Sequence, residues 1–326
     1  MKRFVHFQTK SIRLKIALWS GAALLVMAVL LSGYAIWTIR SAALQQAKEK
    51  NLNLARAKAT TVEATINHAL FTARTLASTL SSGLNEISPI SRAQANGILR
   101  QVLMENPEFL GVYTLWEPNA FDGKDENLQR TYGHDETGRF IPYWVRSDGE
   151  IILEPLLNYE VEGDGDYYLI PKKTGREAVL DPYIYPIDGQ DVLLTSVVAP
   201  IIVDGKFYGI AGVDLPLSTL QELTGLEIYN GAGELLLISH NGVLAGVTDR
   251  PDLAGTSLSD FSGAWVEQLA NVRAGEEKVS VEGSHLAVFA PVYLGDTQTP
   301  WSVNVNIPMA AINSEVYGPM LRMAAI

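Results

Sequence analysis

Residues 192–214 read VLLTSVVAPIIVDGKFYGIAGVD, and this stretch decides the fold. Two runs of β-branched, aliphatic and aromatic residues, 192–202 and 207–213, stand on either side of Val203-Asp-Gly. Such residues favour strands, and Asp-Gly between two strand-like runs favours a tight hairpin turn. The stretch therefore predicts a pair of neighbouring antiparallel strands.

Strand-like runs also precede this hairpin. Ser91 and Gln94 have the spacing of a capping box and predict a helix that ends near Asn106-Pro107. The turn signals Ser147-Asp-Gly and Ile187-Asp-Gly then separate further short runs. These runs lie at Leu110–Trp116, Phe140–Val145 and Glu150–Leu153.

A second strand-rich set follows the hairpin. Pro216 opens a short predicted helix over Leu217–Leu223, and another helix is predicted over 263–272. The strand-like runs lie at Leu226–Tyr229, Glu234–Ser239, Lys278–Val281, Leu286–Val292 and Trp301–Ile307. The whole pattern predicts an α+β fold with two tandem antiparallel-sheet units, residues 88–222 and 223–308, each with helices on one side of its sheet.

A long apolar segment lies near the N-terminus. Residues 16–39 carry no charge, and their length falls within the roughly 17–25 residues that a transmembrane helix needs. Basic residues crowd the N-terminal flank, which predicts a cytoplasmic segment 1–15 and a body outside the membrane. A cleaved signal peptide is the alternative, but its apolar region is usually only about 7–15 residues long. We expect an uncleaved membrane anchor.

Residues 40–86 carry apolar side chains at helical spacing. No Pro or Gly occurs in this segment before Gly83, so one continuous stalk helix is predicted, which rises from the membrane. Its apolar stripe suits packing on the chain's own domain and on a partner subunit. The stripe consists of Leu52, Ala55, Ala59, Val62, Ile66, Leu70, Ala73, Leu76 and Leu80.

The C-terminal residues 316–326 are again apolar, but they are too few to cross a bilayer. They are either the start of a returning membrane helix or an amphipathic helix that packs on the domain. In the first case residues 309–326 lead into a truncated second transmembrane segment. A cytoplasmic output module would then be missing from this chain.

Composition excludes several classes of function. Residues 41–326 carry 19 basic and 36 acidic side chains, and this negative balance disfavours nucleic-acid binding. The chain has no cysteine, and its five histidines are scattered without metal-ligand spacing. No nucleophile elbow or phosphate-binding loop occurs. We therefore predict no catalytic residues, no metal site and no cofactor.

Several segments together resemble the double Cache sensor domains of bacterial methyl-accepting chemotaxis proteins and related transmembrane receptors. The resemblance covers essentially the whole chain, because the segments occur in the family's order and spacing. They are Gly111-Val-Tyr, Gly138-Arg-Phe, Tyr167-Tyr168, Asp181-Pro-Tyr183, Thr195–Ile201 and Gly209–Asp214 in the first unit, and Ile228–Glu234 and Thr299–Pro308 in the second.

This resemblance implies two PAS-like units, a membrane-distal ligand-binding unit at 88–222 and a membrane-proximal unit at 223–308. It also implies a bacterial inner-membrane receptor whose sensor domain is periplasmic or extracellular, with chemotaxis as the expected output. A homodimer is expected because a lone stalk helix would leave its apolar stripe without a partner.

The amino-acid-sensing branch of this family grips the ligand carboxylate with an Arg two residues before a Trp-Tyr pair. In this chain that Arg falls on Gly165, and the branch's middle Asp falls on Tyr185. Tyr183 and Asp214 match a Pro-Tyr step and the acid that grips the ammonium. An α-amino acid would thus lose its guanidinium partner.

A cluster of aromatic and acidic residues in the first unit suits a small nitrogen-bearing ligand. Aromatic rings accommodate flat heterocycles or cations, and a buried carboxylate needs a donor. A purine-like compound or an amine is therefore expected rather than an α-amino acid. The predicted ligand-binding residues are Tyr113, Trp116, Tyr143, Trp144, Asp166, Tyr167, Tyr168, Tyr183, Tyr185 and Asp214.

Other interpretations of these residues stay open at this stage. Some of the tyrosines are expected only to pack in the sheet, and Asp166 is equally suited to a turn. Arg139 and Arg146 are alternative candidates that would bind an anion. A membrane-tethered adhesion or scaffolding module with the same fold and no small-molecule site is the competing function.

Overall fold

The computed structural model describes residues 12–84, 89–260 and 264–315. The chain divides into two compact bodies, one formed by residues 1–50 with 310–326 and the other by residues 51–309. In the smaller body, an exposed ion pair joins Lys50 to Glu315 at 3.4 Å. Residues 309–315 are helical, and the rest of the predicted C-terminal membrane segment lies outside the described residues.

A single helix, α1 (Ile12–Ser81), contains both the predicted anchor and most of the predicted stalk. Its N-terminal part is long and apolar enough to cross a membrane. Beyond residue 50, its apolar stripe is buried within the larger body, with Ala55, Ile66, Ala73 and Leu80 fully inaccessible. The chain's own domain therefore covers the stripe, as one part of the prediction stated, so a stripe without a partner is no longer a reason to expect a homodimer.

The first sheet has seven antiparallel strands in the order β3-β2-β1-β7-β6-β4, with β5 also paired to β6. Helix α2 (Arg92–Glu105) precedes it and begins with the predicted capping box of Ser91 and Gln94. The strands are β1 (Gly111–Trp116), β2 (Pro142–Ser147), β3 (Glu150–Pro155), β4 (Ala178–Val179), β5 (Tyr183–Ile187), β6 (Gln190–Val203) and β7 (Lys206–Pro216).

Three Asp-Gly turns set the register of this sheet. The pairs Asp148-Gly149, Asp188-Gly189 and Asp204-Gly205 all have positive φ at both residues. That conformation matches the twist of two flanking strands, which is why Asp-Gly favours two-residue hairpins. The predicted hairpins, including the one within 192–214, are confirmed.

The second sheet has five antiparallel strands in the order β10-β11-β12-β8-β9. Helix α4 (Leu217–Leu223) links the two sheets, and α5 (Ala264–Ala274) precedes β10. The predicted strand at 226–229 forms only one bridge, between Ile228 and Gly233. The strands are β8 (Glu234–Ile238), β9 (Leu244–Val247), β10 (Lys278–Glu282), β11 (His285–Val292) and β12 (Trp301–Pro308).

Helices cover both faces of the first sheet, so the prediction of helices on one side was wrong. A helix that the sequence did not predict, α3 (Asp166–Thr174), packs on the face that carries Tyr143, through ring contacts of Tyr167. Helix α2 contacts the opposite face, where Asn96 accepts a hydrogen bond from Trp144. Successive side chains of a strand point to opposite faces, and Tyr143 and Trp144 are neighbours on β2.

Candidate ligand-binding site

Two glycines make room for aromatic rings on the α3 face of the first sheet. In the register of β1, Gly111 lies opposite Asp214 on β7, and Tyr113 lies opposite both Gly212 and Tyr143. A methyl group at Gly212 would lie 2.2 Å from the Cζ atom of Tyr113, and one at Gly111 would lie 2.3 Å from the ring of Tyr143. Both rings therefore lie directly over neighbouring strands, where only glycine leaves space.

Five tyrosines, which we call the tyrosine cluster, meet edge to face above these strands. The ring centres of Tyr113 lie 5.8 Å from those of Tyr143 and Tyr167, and Tyr185 lies 5.8–6.3 Å from Tyr143, Tyr167 and Tyr183. Interplanar angles of 79–87° place ring edges against ring faces, the favoured geometry for aromatic pairs. The structure thus brings together five of the predicted site residues.

Asp214 lies at the base of the cluster and is buried. Ser196 donates a hydrogen bond to its carboxylate at 2.6 Å, and the Tyr183 hydroxyl lies 2.7 Å from the same serine oxygen. Burial raises the pKa of Asp214 from 3.8 to about 7, against the opposing effect of the Ser196 and Tyr143 hydroxyls. No cation among the described residues is paired with it.

Two further hydroxyls of the cluster, those of Tyr113 and Tyr143, are buried and lack a hydrogen bond of good geometry to the described residues, although the Tyr143 hydroxyl interacts with Asp214 and the Tyr113 hydroxyl with Ser196. Burial raises the pKa of both phenols well above 10, so they stay protonated donors. A buried polar group without a partner costs roughly 1–3 kcal/mol. The site therefore holds unsatisfied hydrogen-bonding capacity beside an unpaired acid.

The other tyrosines of the cluster are anchored to the loop before α3. The Tyr167 hydroxyl donates to the carbonyl of Leu157 at 2.7 Å, and the Tyr185 hydroxyl accepts from the amide of Leu157 at 2.8 Å. Gly165 caps α3 so close to this loop that a methyl group there would lie 2.5 Å from the carbonyl oxygen of Asn158. The position that carries Arg in the amino-acid-sensing branch therefore has no room for a side chain.

Tyr168 belongs to a neighbouring polar network instead. Its hydroxyl donates to Glu117 and accepts from Lys172 at 2.9 Å and from Arg139 at 3.1 Å. The Arg139 guanidinium is also bonded to the carbonyl of Trp116 and to Glu160. The Arg139 guanidinium therefore binds groups of the protein itself and is not available as the partner of a ligand anion.

Two further predicted site residues lie away from the tyrosine cluster. Trp144 packs on the α2 face, and Trp116, which shares its strand face with Val112, meets the ring of Phe121 edge to face at 4.9 Å. Neither indole therefore lies on the α3 face of the sheet. Alternation along β1 and β2 explains this, because Tyr113 and Tyr143 already take the other face.

Arg146, the second alternative anion binder, caps a helix. Its guanidinium donates to the carbonyl oxygens of Leu103 at 2.6 Å and Phe109 at 3.0 Å. These interactions satisfy backbone groups at the end of α2. Arg146 is therefore committed to the fold.

A cavity of about 590 Å³ adjoins the cluster. Tyr183 forms part of its wall, and Asp166 lines it while accepting a hydrogen bond from the amide of Gly163 at 3.1 Å. Asp166 thus fulfils the turn role and also faces the cavity. Loops of the second sheet unit contribute His240, Asn241 and residues 297–299 to its lining.

Comparison with known proteins adds to this geometry. Residues 95–222 match the family described as methyl-accepting chemotaxis protein-like, first PDC sensor domain. The methyl-accepting chemotaxis protein TlpQ of Pseudomonas aeruginosa is 32% identical over 244 residues, which cover 69% of this chain and 33% of TlpQ. The chain therefore spans about a third of the length of this curated relative.

Solved structures show the same fold over most of the chain. The extracellular domain of mmHK1S-Z3, described as a histidine kinase, is 31% identical with a TM-score of 0.74, and the match covers 85% of this chain and 98% of that domain. The ligand-binding domain of the Pseudomonas aeruginosa chemoreceptor PctB, solved with L-Arg, is 18% identical with a TM-score of 0.51 over 81% of this chain and 96% of that domain. The second likeness bears on the fold alone.

Proposed function

The chain belongs to the double PDC, or Cache, family of bacterial extracytoplasmic sensor domains, and we propose that it binds a small nitrogen-bearing ligand at Asp214 and the tyrosine cluster. One observation carries this proposal. Asp214 is a buried carboxylate whose neighbouring donors, the hydroxyls of Ser196 and Tyr143, are both neutral, and no cation among the described residues is paired with it. A buried acid of this kind is stabilised by a donor from outside the protein.

The chemistry of the ligand follows from the groups around Asp214. An ammonium or a heterocyclic N–H would donate to the carboxylate, and the faces of the tyrosine rings favour a cation or a flat heterocycle. The hydroxyls of Tyr113 and Tyr143 offer two donors for ring nitrogens or carbonyl oxygens of a purine. An α-amino acid also needs a partner for its carboxylate, and Gly165, Arg139 and Arg146 do not supply one.

The proposal extends to the whole receptor. The apolar part of α1 would anchor the chain in the bacterial inner membrane, with residues 1–15 in the cytoplasm and the sensor region outside. The unit at 88–222 would be membrane-distal and the unit at 223–308 membrane-proximal. Ligand binding would bias a membrane-spanning output, by resemblance chemotaxis, through its differential affinity for two states.

We also propose a homodimer, supported by the face of α1 opposite its buried stripe. Exposed residues recur there at alternating spacings of four and three, the repeat of a coiled-coil seam. The exposed positions include Phe71, whose side chain is 60% accessible. The seam consists of Ala57, Thr61, Ala64, His68, Phe71, Thr75 and Ser78.

Cysteine cross-linking of the full chain in membranes tests this dimer. The chain has no cysteine, so a single Phe71→Cys variant reports on one position only. We expect oxidation to give a covalent dimer with Phe71→Cys and not with Glu63→Cys, which lies off the seam. Equal cross-linking at both positions, or none at either, would argue against a dimer through this face.

A thermal-shift screen of the full chain in nanodiscs tests the proposed ligand class. Purines, primary amines and α-amino acids are compared at pH 8, where Asp214 is ionised. A ligand at 100 times its Kd stabilises the folded state by about 2.7 kcal/mol, so an amine or a purine is expected to raise the Tm measurably. If a simple α-amino acid gave the largest rise in Tm, the site would have to contain a partner for the ligand carboxylate, and this part of the proposal would be wrong. No shift with any class would favour the adhesion or scaffolding module.

A further inference from the structure

One short segment, residues 177–183, touches three parts of the larger body, and we call it the connector. It runs from Glu177 through β4 to Tyr183 at the start of β5. Three of its side chains, those of Glu177, Asp181 and Tyr183, are polar and have defined partners. The connector therefore joins the candidate ligand site to other parts of the larger body.

At the first end of the connector, Glu177 joins α1 to the second sheet unit. Arg74 of α1 donates two hydrogen bonds to its carboxylate, both at 2.6 Å, and the backbone amide of Asp296 donates a third at 2.5 Å. The Glu177 side chain is only 9% exposed. Paired Arg–carboxylate bonds fix orientation as well as distance.

The loop between β11 and β12 fits closely against this junction. The amide of Gly295 donates to Asn67 of α1 at 3.0 Å. Gly295 has a φ of +52°, and a methyl group there would lie 2.2 Å from Leu70 and 2.4 Å from Glu177. Only glycine combines that backbone conformation with such close approach.

Further along the connector, Asp181 accepts two hydrogen bonds from Asn241 in the second sheet unit, at 2.7 Å from its side chain and 3.3 Å from its amide. At the far end, the Tyr183 hydroxyl lies 2.7 Å from Ser196, which donates to Asp214. The connector thus links the carboxylate of the proposed site to both α1 and the second sheet.

Open space next to Glu177 allows this junction to rearrange. Glu177 lines the cavity of about 590 Å³ beside Tyr183. It also lines a second cavity of about 610 Å³, together with Arg74, Gly175 and Asp296. A side chain that borders two cavities has fewer packing partners that resist its displacement.

From these contacts we infer that the connector couples the ligand site to α1 and the second sheet unit, with Glu177 as the latch that holds the three parts in one arrangement. The inference rests on the proposed function for the identity of the site at Asp214. A ligand that moves Tyr183 would pull on the same short segment that carries Glu177. The latch is then the two-state element that the ligand biases.

Spin-label distance measurements on the ligand-free full chain in nanodiscs test the coupling. Cysteines introduced at the exposed residues Lys173 and Glu234 report the separation of α3 from the second sheet. We expect Glu177→Gln to widen the distance distribution about twofold, because the latch loses its ion pair. Ser196→Ala, which removes the bridge between Tyr183 and Asp214, is expected to widen it as well, and combining both changes adds little to Glu177→Gln alone.

Two matched controls accompany these variants. Glu277→Gln removes the negative charge opposite Arg56 of α1, another two-bond pair, but this pair is exposed and its loss is expected to leave the distribution unchanged. Thr114→Val removes a buried hydroxyl from the opposite sheet face and is also expected to have no effect. Arg74→Lys keeps the charge but not the paired bonds, and serves where Glu177→Gln fails to fold.

The outcomes separate the coupling from the proposed ligand. An unchanged distribution in Glu177→Gln and Arg74→Lys would overturn the latch. Widening in Glu177→Gln but not in Ser196→Ala would overturn the coupling to the ligand site. Because no ligand is added, neither result depends on whether the screen finds an amine, a purine or nothing.

Discussion

Replacing Asp214 by Asn is expected to weaken binding of an ammonium ligand at least about 100-fold. Loss of one partner from a buried ion pair costs roughly 3–5 kcal/mol, because the other charge is left without compensation. Asn has nearly the same shape as Asp and still accepts a hydrogen bond from Ser196. The fold should therefore remain intact, and the loss should appear in the Kd measured by titration calorimetry.

Asp166→Asn is the matched control for this variant. Asp166 is a second predicted acid near the cluster, but it is partly exposed and already caps a turn through Gly163. We expect its affinity for the ligand to change less than about threefold, as for an exposed charge. Equal losses of affinity in the two variants would indicate that the ligand is recognised by an acid at the cavity wall. Unchanged affinity in Asp214→Asn would remove Asp214 from the site.

The second large effect concerns pH. The folded-state pKa of Asp214 is about 7, above its ordinary value of 3.8. Between these values the folded chain holds a proton that the unfolded chain has released, so the free energy of unfolding falls as pH rises from about 4 to about 7. At 1.36 kcal/mol for each pH unit, the contribution of this one group is on the order of 4 kcal/mol.

Ligand affinity should change in the opposite direction. An ammonium ligand binds the ionised carboxylate, so its affinity is expected to rise with pH and to level off above about 7. Chemical unfolding and ligand titration at pH 5 and pH 8 measure the two trends. Asp214→Asn should weaken the pH dependence of both the free energy of unfolding and the ligand affinity, since Asn does not titrate. Identical pH profiles for this variant and the unchanged protein would show that another group is responsible.

The sequence predicted the elements whose signals are local. The Asp-Gly turns fixed three hairpins, and the capping box at Ser91 fixed the start of α2, because each depends on neighbouring residues only. Helix α3 was missed, since Gly163, Gly165 and Pro171 make its sequence resemble a loop. What stabilises it is tertiary packing of Tyr167 on the sheet.

The sequence predicted only part of the candidate site, for a similar reason. Aromatic and acidic residue types pointed to Asp214 and five tyrosines, but Trp116 and Trp144 were assigned to the same group without regard to strand alternation. The apolar stripe of α1 would have the same pattern whether the chain's own domain or a second subunit covered it, so the sequence alone does not identify its partner. The Arg74–Glu177 pair joins residues 103 positions apart, and no local signal predicts it.

A structure of the full chain with the best ligand from the screen tests the central claim most directly. The account predicts that a ligand nitrogen lies about 3 Å from the carboxylate of Asp214, the usual distance of an N–H···O hydrogen bond, among the rings of the tyrosine cluster. A ligand held in the neighbouring cavity beside residues 297–299, without contact to Asp214, would contradict it.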